Sequence, residues 1–269
     1  MKVYLSGNPV HDMVLTAFAE GAGAQCIGGW KWALDDIAVV FGVRKERQPV
    51  SWPRGEIIRK QEKHGGRVIV LETGYVNRGD GPENHYAAGW DGLNGRADFR
   101  NVGMRADRWD LLGRELRPWK RDGSLVVICG QVPWDAACQH HDHLGWCQAT
   151  VAKLGRDGFP VVFRPHPLAP GVNYGVRCEI STRPLEEDLA EARCVVTFNS
   201  NCAVDAVIAG VPAISMDVGS MAFSVTGHSL EDIENPPKPE REQWAWDLAH
   251  CQWLPAEMRQ GLAWKHLSR

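Results

Sequence analysis

Short apolar runs recur along the chain, each followed by a polar or glycine-bearing break and then a stretch with helical spacing. Runs at 2–6, 37–41, 67–71, 124–129, 159–163, 194–198 and 211–215 are rich in Val, Ile and Leu and continuous rather than alternating. Strands buried on both faces of a parallel sheet read this way. Helices are predicted over 11–22, over 53–64 before Gly65-Gly66, over 143–154, over 186–192, and over 201–209 before Gly210 and Pro212. Glycine after a helix and proline shortly beyond it are the usual stop signals. Residues 77–103, rich in Gly, Asn and Asp, read mostly as loop and as part of a site.

The pattern resets at 118–123, a linker ahead of a second strand–helix series. Two such series define an α/β fold: GT-B-like, two Rossmann-like domains with mostly parallel sheets facing an interdomain cleft. The boundaries expected are 1–120, 121–240, and a helical segment at 241–269 that packs back on the first domain through Trp244, Trp246, Trp253 and Trp264.

Composition changes this picture little. A chain of 269 residues with 44% hydrophobic residues builds two sizeable cores. No run approaches the roughly 20 apolar residues of a membrane span, and the start lacks a signal-peptide pattern, so a cytoplasmic protein is expected. The eight cysteines include no C-x-x-C pair and read as reduced, mostly core, residues. The net charge of −3 argues against a protein that coats nucleic acid. It is uneven, however: residues 1–122 carry +3 and the remainder −6, with basic clusters at 44–67 and 96–121.

Candidate chemistry gathers where strands end, because ligands of open α/β sheets bind beyond the strands' carboxyl ends. Arg164-Pro165-His166-Pro167 follows one strand and Asn199-Ser200-Asn201 another. A guanidinium, an imidazole, a hydroxyl and a helix N-terminus together suit a phosphate. Glu72 follows the strand at 67–71 and is placed to take a proton from a hydroxyl; Asp91 is the competing base. Arg78 and His85 lie between them as acceptor-binding candidates, joined by Asn8 and His11 after the first strand. The segment Cys138, His140, His141, His143 and Cys147 contains zinc-ligand types, but its spacing matches no familiar zinc motif and equally suits a polar lining. No metal site is assigned.

Three of these segments resemble the motifs of bacterial capsule-polysaccharide glycosyltransferases, the polysialyl- and Kdo-transferase group. Glu72-Thr73-Gly74-Tyr75-Val76-Asn77-Arg78 is similar to their Glu-Asp-Gly-Phe-x-Arg motif, 164–167 to their HP motif, and 199–201 to their serine motif. The resemblance implies a nucleotide-sugar-dependent transferase with Glu72 as catalytic base, and His166, also counted with the catalytic group, and Ser200 on the donor phosphate. Arg164, Asn199 and Asn201 join that cradle, and Asp205 and Gln131 are assigned to the nucleotide. Thr73 replaces the second acid, and Asp205 stands where many relatives carry Glu. No cofactor and no metal is implied; the nucleotide-sugar is a co-substrate. The Trp-rich ending resembles bacteriophage proteins, which would make the acceptor a hydroxymethylated pyrimidine in DNA rather than a glycan and the location the host cytoplasm. The alternatives are a sugar-nucleotide 2-epimerase, which shares an Arg-Pro-His-Pro loop, and a non-catalytic nucleotide- or sugar-binding protein.

Overall fold

The computed structural model of the chain describes residues 1–29, 31–43, 53–138 and 140–269. The part of the basic cluster at 44–52 lies outside the described residues. The chain divides into two compact units, Met1–Gly113 with Gln243–Arg269, and Arg114–Glu242.

The first unit begins with β1 (Lys2–Tyr4), α1 (Pro9–Ala22), β2 (Gln25–Ile27), β3 (Ile37–Phe41), α2 (Pro53–Lys63) and β4 (Arg67–Thr73). It continues through β5 (Tyr86–Trp90) and α3 (Asp107–Leu111). The second unit contains β6 (Leu125–Cys129), α4 (His143–Arg156), β7 (Val161–Arg164), β8 (Glu179–Ile180), α5 (Leu185–Glu191), β9 (Ala192–Thr197), α6 (Cys202–Ile208) and β10 (Ala213–Ser215). The chain then returns to the first unit with α7 (Glu242–Ala249), β11 (Gln252–Trp253), α8 (Pro255–Arg259) and α9 (Leu262–Leu267). The sheet orders are β11-β5-β4-β3-β1-β2 and β10-β9-β6-β7-β8. The second sheet is parallel throughout, whereas β5 runs antiparallel to both β4 and β11.

Strand β5 corrects the expectation of loop across 77–103. All five of its residues are buried, yet Ala87, Ala88 and Gly89 supply none of the β-branched signal by which a buried strand is recognised. Gly89 is small for a steric reason: a Cβ there would lie 2.7 Å from the Phe99 ring. Pairing with β5 also carries β4 on to Thr73, with Glu72 opposite Ala87, so Glu72 is a strand residue and not part of an exit loop.

Helix α1 starts where Asn8 accepts hydrogen bonds from the Val10 and His11 N–H groups, and it ends on left-handed Gly23. Its buried face, Val14, Leu15, Ala17, Phe18 and Ala19, packs against Val39, Leu71 and Tyr86 of the sheet. Removing Leu15 or Phe18 from water contributes roughly 1.5–3 kcal/mol each. The chain's ending folds onto the other side of α1 as three short helices and a strand rather than one helix. Met258, Ala263 and Leu267 complete the same core, and Trp90 Nε1 donates to the Leu267 carbonyl at 3.0 Å.

In the second unit, Val126, Ile128, Leu154, Phe163, Cys194, Val196 and Ile214 form the core under the parallel sheet. Gly210 ends α6 with φ +77°, and a Cβ there would lie 2.2 Å from the Pro118 carbonyl oxygen. All eight cysteines are free thiols; five are buried, and Cys26 is exposed. Among the described residues, no helix is long and apolar enough to cross a membrane.

Candidate functional site

In the second unit the carboxyl ends of β6, β7, β9 and β10 bring Gln131, His166, Asn199, Ser200 and Asp217 to one edge of the sheet. Gln131 and Asn199 lock to each other: Gln131 Nε2 donates to Asn199 Oδ1 at 2.7 Å, and the Asn199 N–H donates to Gln131 Oε1 at 3.1 Å. Asn199 Nδ2 donates to Asp217 Oδ1 at 2.9 Å and to the Ala137 carbonyl at 2.9 Å. Three hydrogen bonds thus fix the Asn199 side chain and a fourth its backbone N–H. Asn199 thereby ties the loop after β9 to those after β6 and β10. Asp217, missed in the sequence, stands two residues past β10 and obeys the same strand-end rule; it also accepts from the Gly219 N–H at 2.8 Å.

The helix start offers an anion less than expected. The Ser200 N–H donates to Thr197 Oγ1 at 3.1 Å, and the Ala203 N–H to the Ser200 carbonyl at 3.1 Å. Ser200 Oγ accepts from the Cys202 N–H at 3.3 Å. Asn201 makes no side-chain cap of α6, and Asp205 lies in that helix's first turn. At the end of β7, His166 Nδ1 accepts from the Leu168 N–H at 3.1 Å. A neutral imidazole held this way carries its proton on Nε2.

Arg164 at this edge has partners of its own. Its Nη1 donates to buried Asp188 Oδ2 at 3.0 Å and also to the Arg183 carbonyl. Arg183 grips the other oxygen of Asp188 through Nε at 3.0 Å, and Ser181 Oγ donates to Oδ2 at 2.6 Å. A guanidinium held on a buried carboxylate helps to stabilise the fold.

The histidine and cysteine segment forms a chain of hydrogen bonds. The Gln131 N–H donates to His143 Nε2 at 2.9 Å, which places the His143 proton on Nδ1, 3.2 Å from His141 Nε2. His141 stacks on Phe198 with ring centroids 3.4 Å apart, and His140 Nε2 pairs with Asp217 Oδ2 at 3.1 Å. Among the described residues, no three His, Cys, Asp or Glu side chains are grouped to hold a metal ion. The imidazoles instead buttress the Gln131–Asn199 lock.

Burial, with the neighbouring His141 second, pushes His143 down to about 4. In the first unit burial likewise pushes His266 down to about 4, against the opposing hydrogen bond to the Phe99 carbonyl. Both are neutral in the fold, whereas an unfolded histidine protonates near 6.5. Their contribution is complete above pH 6.5 and is lost as the pH falls through 4. A loss of about 1–2 kcal/mol per imidazole between pH 7 and 5 is expected, read as a falling urea midpoint. Two imidazole proton resonances should fail to titrate until about pH 4; titration of both near 6.5 would refute this.

In the first unit, Glu72 lies at the carboxyl end of β4, with its Oε1 accepting from the Thr73 N–H at 3.0 Å. Asp91 stands beyond the other end of the same strand. It accepts from the Val68 N–H at 2.8 Å and pairs with Arg67 at 2.7 Å. That is about 13 Å along the strand from Glu72, at the opposite end of β4. The loop after Glu72 is held by Gln252 of β11, fully buried, whose Oε1 accepts from the Tyr75 and Val76 N–H groups at 2.7 and 3.0 Å. No local sequence signal links Gln252 to that loop.

The acceptor-side residues fare unevenly. Asn8 is the cap of α1. His11 stacks on Phe41, with ring centroids 3.9 Å apart, at the end of β3 beside β4. Arg78 Nη1 donates to the Tyr75 carbonyl at 3.0 Å. The His85 N–H donates to the Asn77 carbonyl at 3.1 Å, and burial lowers its imidazole. Arg54, on the first turn of α2 and missed in the sequence, is brought beside Glu72: a Cβ on Gly42 would lie 3.0 Å from Arg54 Nη1 and 3.1 Å from Glu72 Oε2.

No known family's sequence profile matches the chain, and no curated protein matches it in sequence. Two solved structures share its fold. A β-Kdo 2,4-transferase of KpsC from Thermosulfurimonas dismutans superposes with a TM-score of 0.59 at 10% identity, covering 93% of this chain and 90% of that one. A β-Kdo 2,7-transferase of KpsC from the same organism superposes with a TM-score of 0.56 at 15% identity, covering 100% and 99%. At these identities the likeness establishes the architecture, an α/β fold with two mostly parallel sheets.

Proposed function

We propose that this chain is a glycosyltransferase that moves a sugar from a nucleotide-activated donor to an acceptor hydroxyl. Glu72 takes the acceptor's proton, and His166 and Ser200 stabilise the charge that develops on the departing phosphate. Gln131 and Asp205 stand on the nucleotide side. One observation carries the reading: the carboxyl ends of a wholly parallel sheet bring His166 and Ser200 to one edge, with His166 Nδ1 accepting from the Leu168 N–H and Ser200 Oγ from the Cys202 N–H. The fold shared with two Kdo transferases supports it. In this reading the chemistry uses no metal and no cofactor, and the acceptor is a glycan or a hydroxymethylated pyrimidine of DNA.

The test is a thermal-shift screen with UDP-, CMP-, CDP- and GDP-sugars, followed by mass spectrometry of glycan and modified-DNA acceptors. One nucleotide class should raise the melting temperature. Glu72→Gln should lower transfer by roughly 10²–10⁴-fold with an unchanged melting temperature, and His166→Ala should weaken the donor's thermal shift. Epimerisation of the donor sugar without an acceptor, or full transfer by Glu72→Gln, would overturn the proposal.

A further inference from the structure

A cavity of about 340 Å³ is walled by two segments of the second unit, 116–119 and 238–242. The first segment is tied to the end of α6 opposite Ser200. There the Arg117 N–H donates to the Ile208 carbonyl at 3.0 Å and the Lys120 N–H to the Gly210 carbonyl at 2.7 Å. The second segment is tied to the first: Trp119 Nε1 donates to the Pro239 carbonyl at 3.0 Å, and Arg241 Nη2 to the Arg117 carbonyl. The walls are therefore preformed.

Arg241 is the unusual residue of this cavity. It is only 5% exposed, and its guanidinium lies over the Trp119 ring, 3.7 Å from the centroid. The ring face and the Arg117 carbonyl offset part of the charge. Its Nε, however, is buried with no hydrogen-bond partner, and no carboxylate among the described residues forms an ion pair with this side chain. The less deeply buried Arg108 and Arg164 each hold one, Glu257 and Asp188. Glu240 and Glu242 also line the cavity, but both are exposed, and Glu242 Oε2 accepts from the Arg241 backbone N–H at 3.1 Å. Burial lowers the Arg241 pKa, against the opposing charge of Glu242. A buried cation held this way is costly until an anion reaches it.

We propose that this cavity is a second ligand site, which receives on Arg241 a small organic oxyanion, a carboxylate or a phosphate monoester. Either group presents paired oxygens that match a guanidinium. Arg117 and Lys238, both exposed and on the two walls, add cationic field at the cavity. Pro118 and Pro239 give the ligand's carbon body an apolar surface to lie on. With three cations against two carboxylates in the lining, a group of low charge is favoured over a polyphosphate. The proposal is independent of the glycosyl-transfer reading, whose Ser200 stands at the other end of α6.

An NMR titration of the full chain at constant ionic strength tests this, with phenyl phosphate and benzoate as probes and chloride as the control. The expected result is a saturable shift of the Arg241 Nε–H and Trp119 Nε1–H resonances, and the tighter-bound probe names the oxyanion. Chloride should shift neither. Arg241→Met keeps apolar contact with Trp119 and should weaken the probe by roughly 10–100-fold, as expected for lost hydrogen bonds to a charged group. Should that variant fail to fold, Arg117→Ser combined with Lys238→Ser decides: both side chains are exposed, and their loss should weaken binding by roughly 2–10-fold. Shifts that never saturate, equal shifts with chloride, or wild-type affinity in Arg241→Met overturn the proposal. If Arg241→Met does not fold, wild-type affinity in the double variant overturns it as well.

Discussion

Asp188→Asn is expected to destabilise the second unit by about 3–5 kcal/mol, the range for removing one partner of a buried charge cluster. The carboxylate is fully buried and receives Arg164, Arg183 and Ser181 together. Asparagine keeps the shape but presents an amide to two guanidiniums, leaving Arg164 without its carboxylate and Arg183 with Glu191 alone. Arg164 belongs to β7, directly before His166, so the disturbance also reaches the candidate phosphate site. The check is the urea midpoint of unfolding followed by tryptophan fluorescence. A midpoint within experimental error of the wild type would mean that water replaces the carboxylate, and the structural role assigned to Arg164 would fall.

Gly21→Ala should be nearly as damaging in the first unit, at about 3 kcal/mol. On helical propensity alone, alanine inside α1 would be favoured by about 1 kcal/mol. Tertiary packing reverses the sign. A Cβ at position 21 would lie 1.9 Å from the Met258 carbonyl oxygen and 2.6 Å from the Gly261 nitrogen. Both are backbone atoms, which cannot rotate away as a side-chain tip can, so α8 and α9 must move off α1. The expected readout is a lowered melting temperature together with faster proteolysis within residues 243–269. A stabilised variant would show that this close approach is wrong.

The two variants show how differently parts of the molecule were legible. Strands β3, β6 and β9 were readable because both faces of each are buried, so nearly every position is apolar and the run has clean ends. Strand β5 was not, because its burial depends on neighbours such as Phe99 that demand small residues, and Ala and Gly carry no strand signal. Charges were the hardest to read. Arg164 and Asp91 look like ligand-reading residues by their position in the chain, yet each is engaged by a partner 24 residues away in sequence: Asp188 for the first, Arg67 for the second. Arg54 and Gln252 carried no local pattern at all, since their relation to Glu72 exists only once α2 and β11 have docked.

The sequence alone determined the α/β class, two strand–helix series, and the strand ends where His166, Ser200 and Glu72 stand. These follow from local periodicity and from glycine, proline and capping chemistry, which act over a few residues and are written there. Only the tertiary structure decided which charged groups pair with each other, because ion pairs are settled by contacts across long separations. It paired Arg164 with Asp188 and Asp91 with Arg67, turned the histidine segment into a support for Gln131, and brought Arg54 beside Glu72.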